Sequence, residues 1–313
     1  MEIIQNDYSR QVNILNPEEF KLPIHIIGAG ATGSWVAFSL AKMGLSNITV
    51  YDFDEIGMHN LPNQMFNLVQ IGKNKAMAIK ANIKSYTGIN IKARNMKVEG
   101  NTPLQGIVFL LTDTMKSRKD IYYKSIKNNP MVDLLIETRM DLRGGRIYAI
   151  NPKDRLQTKI YEETLYDDSE AEVSACGVSQ TVLPSALAIT SHAIWKLLNF
   201  INNEPIQNEV IMDFSNEILM TQIWSEESKV KHYPIKNKVI HCKTEEQAKI
   251  LLDECDKQEM LWISGEKITD KTHWNMYTTN TCYHIEDKRI AYADLDYFYE
   301  QDMKVYSFND VFK

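Results

Sequence analysis

The chain has 313 residues, 44% of them hydrophobic and 24% charged, with a formal net charge of -6. This is ordinary globular composition, enough for one large domain or for one large and one small. The acidic balance argues against a nucleic-acid-binding surface. No apolar run approaches the ~18 residues a membrane span needs, and no signal-peptide pattern opens the chain. The four cysteines, Cys176, Cys242, Cys255 and Cys282, form no C-x-x-C pair. The expectation is a cytoplasmic protein with free thiols, without membrane or nucleic-acid partners.

Residues 1–23 are polar and contain Tyr8-Ser9-Arg10-Gln11. Pro23 then leads into an apolar strand from Ile24 to Ile27. Gly28-x-Gly30-x-x-Gly33 follows and opens a helix with Val36, Leu40 and Met43 on one face, stopped at Gly44. A second strand, Ile48 to Tyr51, ends in Asp52-Phe53-Asp54. Next comes a loop rich in turn and amide residues, Gly57 to Gln64, and then Gly72-Lys73-Asn74-Lys75, which starts a helix to about Tyr86. Ile107 to Thr112 reads as a strand buried on both faces and ends in Asp113. The spacing predicts a helix over 116–127 and further strands at 132–137 and 146–150. Residues 152–175 are polar and acidic and read as an exposed crossover loop, with Asp167 to Glu172 a solvated run closed by Cys176. A helix over 185–200 and strands within 210–224 complete the pattern. The predicted class is α/β: a doubly wound, Rossmann-like, mainly parallel sheet with helices on both faces.

Composition shifts at 225–238, which reads as a linker between a first domain, 1–230, and a small α+β domain, 238–313. The second domain begins with a strand at 239–243 and a helix at 244–256, where Thr244 and Gln247 fit a capping box. Short strands are predicted near 260–264, 277–284, 289–293 and 305–308. His241, Cys242, Cys282 and His284 lack any standard metal spacing, and half-buried strand residues explain them better. Trp262, Trp274, Tyr292, Tyr297, Phe298 and Tyr299 are expected in the small domain's core.

The glycine turn carries the first functional signal. Without Cβ atoms, Gly28, Gly30 and Gly33, with Ala31 between them, let a phosphate approach the backbone at a helix N-terminus. Asp52 lies where an acid accepts hydrogen bonds from ribose hydroxyls. Arg10, Asn60, Gln64, Lys73, Lys75 and Asp113 fall near the same ligand edge in this topology. Cations plus an acid at a strand end suit a triphosphate with Mg²⁺ better than a pyrophosphate carrying a hydride donor. Asp113 is the candidate metal ligand, and Lys75 is suited to neutralising phosphate charge.

Taken in order, these residues resemble the ThiF/MoeB/HesA adenylyltransferases, relatives of the ubiquitin-activating enzymes. The resemblance spans roughly residues 5–225. It rests on Tyr8-Ser9-Arg10-Gln11, Gly28 to Gly33, Asp52-Phe53-Asp54, Asn60-Leu61-Pro62-Asn63-Gln64, Gly72 to Lys75 and Thr112-Asp113. It implies ATP-dependent activation of a carboxylate, usually the C-terminus of a ubiquitin-like protein or peptide, as an acyl-adenylate with release of pyrophosphate. By resemblance, Asp52 and Asp54 border the ribose, Asn60 and Lys75 contact phosphates, and Asp113 serves Mg²⁺ and nucleotide. Arg10 would enter the partner subunit's site across a homodimer. Cys176 corresponds to a cysteine able to form an acyl-sulfur link, although the acids before it would raise rather than lower its pKa.

Two departures stand out. Asn63 replaces the arginine of the family's N-L-x-R-Q, leaving an amide where a charge is usual, with Lys73 as a possible substitute. The paired C-x-x-C zinc ligands of many members are missing, so no structural zinc is expected. Two other readings remain open here: a non-catalytic nucleotide-binding protein of the same fold, and an NAD- or FAD-dependent oxidoreductase. ATP-dependent modification of a small molecule or nucleic acid is a narrower variant.

Overall fold

The computed structural model describes residues 6–100, 102–141, 143–166, 181–225, 235–268, 272–286 and 288–312. The chain divides into two compact units, Met1–Ser228 and Lys229–Lys313.

In the first unit, apolar tetrapeptides become β1 (Ile24–Ile27) and β2 (Ile48–Tyr51), separated by α1 (Ala31–Lys42). Then follow α2 (Lys75–Thr87), β3 (Lys92–Arg94), β4 (Gly106–Leu110), α3 (Met115–Ile121), β5 (Val132–Met140), β6 (Gly144–Ile150), α4 (Arg155–Glu163), α5 (Leu183–Ile201), β7 (Glu209–Asp213) and β8 (Ile218–Gln222). One eight-stranded sheet takes the order β3-β2-β1-β4-β5-β6-β7-β8. It is parallel from β3 to β5 and antiparallel beyond. The order reverses between β1 and β4, and open sheets of this kind bind ligands beyond the carboxyl ends of the strands at such a switch. Ile27 pairs with both Tyr51 and Leu110. The segments after β1, β2 and β4 therefore leave the sheet at one edge.

Alternation along β1 explains the two covered faces. Ile24 and Ile26 pack with Val36, Ala37 and Leu40 of α1, Ile79 and Ile83 of α2, and Ile189 and Ala193 of α5. Ile27 faces the other way, with Val108, Leu110, Ile121, Tyr122 and Tyr161. The doubly wound, mainly parallel architecture is the one expected.

Local details differ. The helix predicted over 116–127 is α3 followed by one π-helical turn, Tyr122–Ile126. The expected loop at 152–175 contains α4. Asp154 caps that helix, its Oδ1 accepting from Leu156 N at 2.8 Å and Gln157 N at 3.1 Å, and Tyr161 is buried on its inner face. One cap and one aromatic anchor outweigh the polar composition that suggested a loop.

The second unit holds β9 (Lys238–His241), α6 (Glu245–Lys257), β10 (Leu261–Trp262), β11 (Thr281–Glu286), β12 (Arg289–Asp294), α7 (Leu295–Glu300), β13 (Val305–Ser307) and α8 (Phe308–Val311). Its sheet order is β10-β12-β11-β9-β13. Thr244 caps α6, accepting from Gln247 N at 3.2 Å, while the Gln247 side chain accepts from Lys243 N at 2.9 Å. Ile240, Cys242, Leu251, Cys255 and Tyr283 form one core, and Val239, Cys282 and Phe298 another. Cys242 and Cys282 therefore sit in different cores. The Cys255 and Cys282 thiols are pushed up to about 12, chiefly by burial, as expected for apolar filling rather than metal ligation. Tyr297 and Tyr299, expected in this core, are exposed.

Candidate functional site

The glycine turn has a different constraint at each glycine. Gly28 has φ +95°, and a Cβ there would lie 2.6 Å from Leu111 O. A Cβ on Gly33 would lie 1.9 Å from Gly28 O, so the helix packs directly on the turn. A Cβ on Gly30 would meet nothing within 4 Å. The turn is closed on the protein side and open at Gly30. No side chain caps α1, and no acid occupies its first turn. Among the described residues its leading N–H groups and positive dipole end are thus left without a side-chain partner, as an anion site requires.

Asp52 ties this turn to β2. Its Oδ2 accepts from Ala29 N at 2.7 Å and its Oδ1 from Asp54 N at 2.8 Å. Burial raises the Asp52 pKa against the lowering effect of those two N–H groups and of Lys75. Each oxygen keeps a lone pair for a ribose hydroxyl. Lys75, at the start of α2, is buried, and its Nζ lies 2.9 Å from Asp54 Oδ2. Asp113 follows β4, is exposed, and has no hydrogen bond or ion pair among the described residues. Thr114 behind it caps α3 by accepting from Ser117 N at 3.2 Å. These residues fit a nucleotide with a divalent cation: an open helix terminus, an oriented acid for ribose, a lysine, and an uncommitted carboxylate for Mg²⁺. Among the described residues, no group of three metal-ligating side chains is present.

The loop over the site is pinned to the first turn of α1. Trp35 Nε1 donates to Asn63 O at 3.0 Å, and Met65 N donates to Ser34 Oγ at 3.0 Å. Asn60 Oδ1 accepts from Gly57 N at 2.8 Å, so that oxygen holds the loop. Asn63 Nδ2 donates to Thr181 Oγ1, just before α5. Asn63 Oδ1, Gln64 Oε1 and Thr112 Oγ1 are buried without partners among the described residues. Lys73 is exposed.

Arg10 is placed differently from the topological expectation. Gln11 Nε2 donates to Met43 O at 2.7 Å, at the end of α1. Arg10 shares a cavity of about 280 Å³ with Lys42, Tyr86 and Thr87, which close α1 and α2. Both helices run back from the ligand edge, so Arg10 lies at the opposite edge of its own sheet. Cys176 and the run Asp167 to Glu172 lie outside the described residues.

A second charged group at the ligand edge escaped the sequence reading. Glu137, paired with Leu110 at the end of β4, is wholly buried. Its Oε1 lies 2.7 Å from Arg139 Nε, and 3.2 Å from Arg118 Nε without hydrogen-bond alignment. Tyr161 OH donates to its Oε2. Arg118 Nη2 donates to Thr138 O at 3.1 Å, and Arg139 Nη1 to Thr164 O at 2.7 Å. The Arg139 guanidinium also stands 4.4 Å from the Tyr148 ring centroid. Burial lowers the Arg139 pKa, but the facing Glu137 more than offsets it and leaves the group firmly charged. The i, i+2 spacing of Glu137 and Arg139 on one strand face was the available signal.

Comparison with known proteins bears on the fold and the family. The chain resembles PaaA over 71% of its own length and 85% of that chain, with a TM-score of 0.52 at 16% identity. It resembles Escherichia coli MccB, solved with ATP, over 72% of each chain, with a TM-score of 0.51 at 15% identity. A segment of 95 residues is 34% identical to the NEDD8-activating enzyme E1 catalytic subunit of Dictyostelium discoideum. That alignment spans 30% of this chain and 22% of the relative's length. Residues 8–244 match the ThiF family, and the chain belongs to it.

Proposed function

We propose that the protein is an ATP-dependent adenylyltransferase that activates the carboxylate of a ubiquitin-like protein or peptide. The observation that carries this reading is the bare N-terminus of α1, flanked at one sheet edge by Asp52, Lys75 and the uncommitted Asp113. An ionised carboxylate needs no general base, so the site's work is in-line positioning and charge stabilisation. One carboxylate oxygen attacks the α-phosphorus, the bond to the β-phosphoryl oxygen breaks, and pyrophosphate leaves with both electrons of that bond. Asp52 orients the ribose. The α1 N–H groups and Lys75 take up phosphate charge, and Asp113 is the residue that would hold Mg²⁺. Mg²⁺, when bound, would neutralise charge on the phosphates and on the departing pyrophosphate.

The protein acts as a cytoplasmic homodimer in this reading, with Arg10 completing the partner's site. Its position at the far edge of its own sheet supports a role in trans. Exposed Phe53, Met58, Leu68 and Val69 around the crossover between β2 and α2 give a second copy an apolar surface to cover. The linker divides an adenylation domain, 1–230, from a small domain, 238–313. An oxidoreductase would leave Lys75 and Asp113 without a use. A second reading, nucleotide binding without turnover, is favoured by Asn63, whose amide is held by Thr181 and carries no charge. ATP–pyrophosphate exchange with Mg²⁺ and a panel of carboxylate-ended peptides and ubiquitin-like proteins separates the two. Exchange in the wild type that disappears in Asp113→Ala supports adenylation. Tight ATP binding without exchange for any substrate favours the second reading, and NAD binding in place of ATP overturns both.

A further inference from the structure

Residues 54–56 and 72–75 form a clasp that closes the loop above the site. Ile56 N donates to Lys73 O, Gly72 N to Ile56 O and Lys75 N to Asp54 O, each at 2.9 Å. Asn74 lies at the centre of this clasp. Its Nδ2 donates to Asp52 O at 2.9 Å and to Asp54 O at 3.1 Å, while its Oδ1 accepts from Met77 N at 3.1 Å. One amide thus caps α2 with its oxygen and holds the end of β2 with its nitrogen. On one side of it, Asp52 grips the glycine turn through Ala29 N. On the other, Lys75 reaches Asp54.

We propose that Asn74 is a positioning residue that fixes the ribose acid and the phosphate lysine in one register, through its two Nδ2 hydrogen bonds to the end of β2. The proposal rests on the adenylation reading for its consequence in turnover, but not for its effect on nucleotide binding. A carboxamide is needed because the position requires both an acceptor and a two-hydrogen donor. Aspartate and serine cap helices about as well as asparagine, but neither can supply this donor.

The test compares Asn74→Asp and Asn74→Ser with Asn74→Ala. Thermal unfolding, ATP affinity by calorimetry and amide hydrogen exchange over 54–56 and 72–75 are measured on the full chain. The aspartate and serine variants keep the helix cap and should lose clearly less thermal stability than Asn74→Ala. They should bind ATP about tenfold more weakly, the size expected for losing two neutral hydrogen bonds. They should also exchange faster at the clasp amides and nowhere else. The alanine variant should lose thermal stability as well. The proposal is overturned if Asn74→Asp and Asn74→Ser keep wild-type ATP affinity and clasp protection, or if they lose as much thermal stability as Asn74→Ala. Wild-type protein that binds ATP but shows no pyrophosphate exchange would sink the adenylation reading, and ATP affinity would still decide the role of Asn74. Wild-type protein that binds no ATP would leave Asn74 nothing to position and would overturn both.

Discussion

Two charged groups sit at the same edge of one sheet and differ in what they leave available. Around Glu137, two arginines, a tyrosine and a threonine carbonyl are turned on one another inside the protein, with Arg118 Nε in ion-pair range but without a hydrogen bond among the described residues. Around Asp52, the contacts hold the backbone in place while the α1 N–H groups, spare carboxylate lone pairs and Asp113 stay open. The first arrangement is a scaffold and the second is built to receive a ligand. Substitutions in the two groups should therefore fail in different assays.

The largest effect belongs to the closed group. Glu137→Ala should leave two buried guanidinium groups without their anion and lower stability by about 3–5 kcal/mol, read from the urea midpoint. A loss near zero would mean that the arginines find other partners and that the cluster is not a scaffold. In the open group, Asp113→Ala should leave the urea midpoint unchanged. Its exchange rate should fall by about 10²–10³, as when one preorganised transition-state contact is removed. Unfolding comparable to that of Glu137→Ala would erase the contrast. Thr114→Ala, one residue along, should cost about 1 kcal/mol of stability by uncapping α3. A further effect is electrostatic and confined to acid pH. His25 Nδ1 lies 3.0 Å from Tyr51 OH inside the first unit, and burial, with Lys92, lowers its pKa from 6.5 to about 4. The unfolded chain takes up this proton below pH 6.5 and the folded one only near pH 4. That part of the stability is therefore complete above pH 6.5 and is lost as pH falls toward 4. His25→Phe should flatten the stability profile in that window, and an unchanged slope would assign it to other groups.

The glycine turn, β1, β2 and β4 were legible in the sequence because each is dictated locally: an apolar run, a Cβ-free turn, an acid at a strand end. Lys75 was legible because Gly72 and Asn74 mark the start of its helix. Glu137 was not, because its meaning depends on Arg118 and Tyr161, each on a separate helix. The helix over 155–163 hid behind polar side chains, since a surface helix needs only one buried anchor, here Tyr161. Arg10 was placed at the wrong edge because a polar leader carries no periodicity; its position is set by Gln11 reaching Met43 O. Asn74 was read only as part of the stretch that starts a helix, and its two acceptors are carbonyls that no sequence pattern displays.

Oxygen transfer from the substrate tests the central claim most directly. A carboxylate that supports exchange is labelled with oxygen-18 in its carboxyl group, incubated with protein, ATP and Mg²⁺, and then released to an amine or thiol acceptor. Attack of the carboxylate on the α-phosphorus predicts AMP carrying one labelled oxygen, with unlabelled pyrophosphate. Label in phosphate or pyrophosphate, or unlabelled AMP, would contradict carboxylate adenylation.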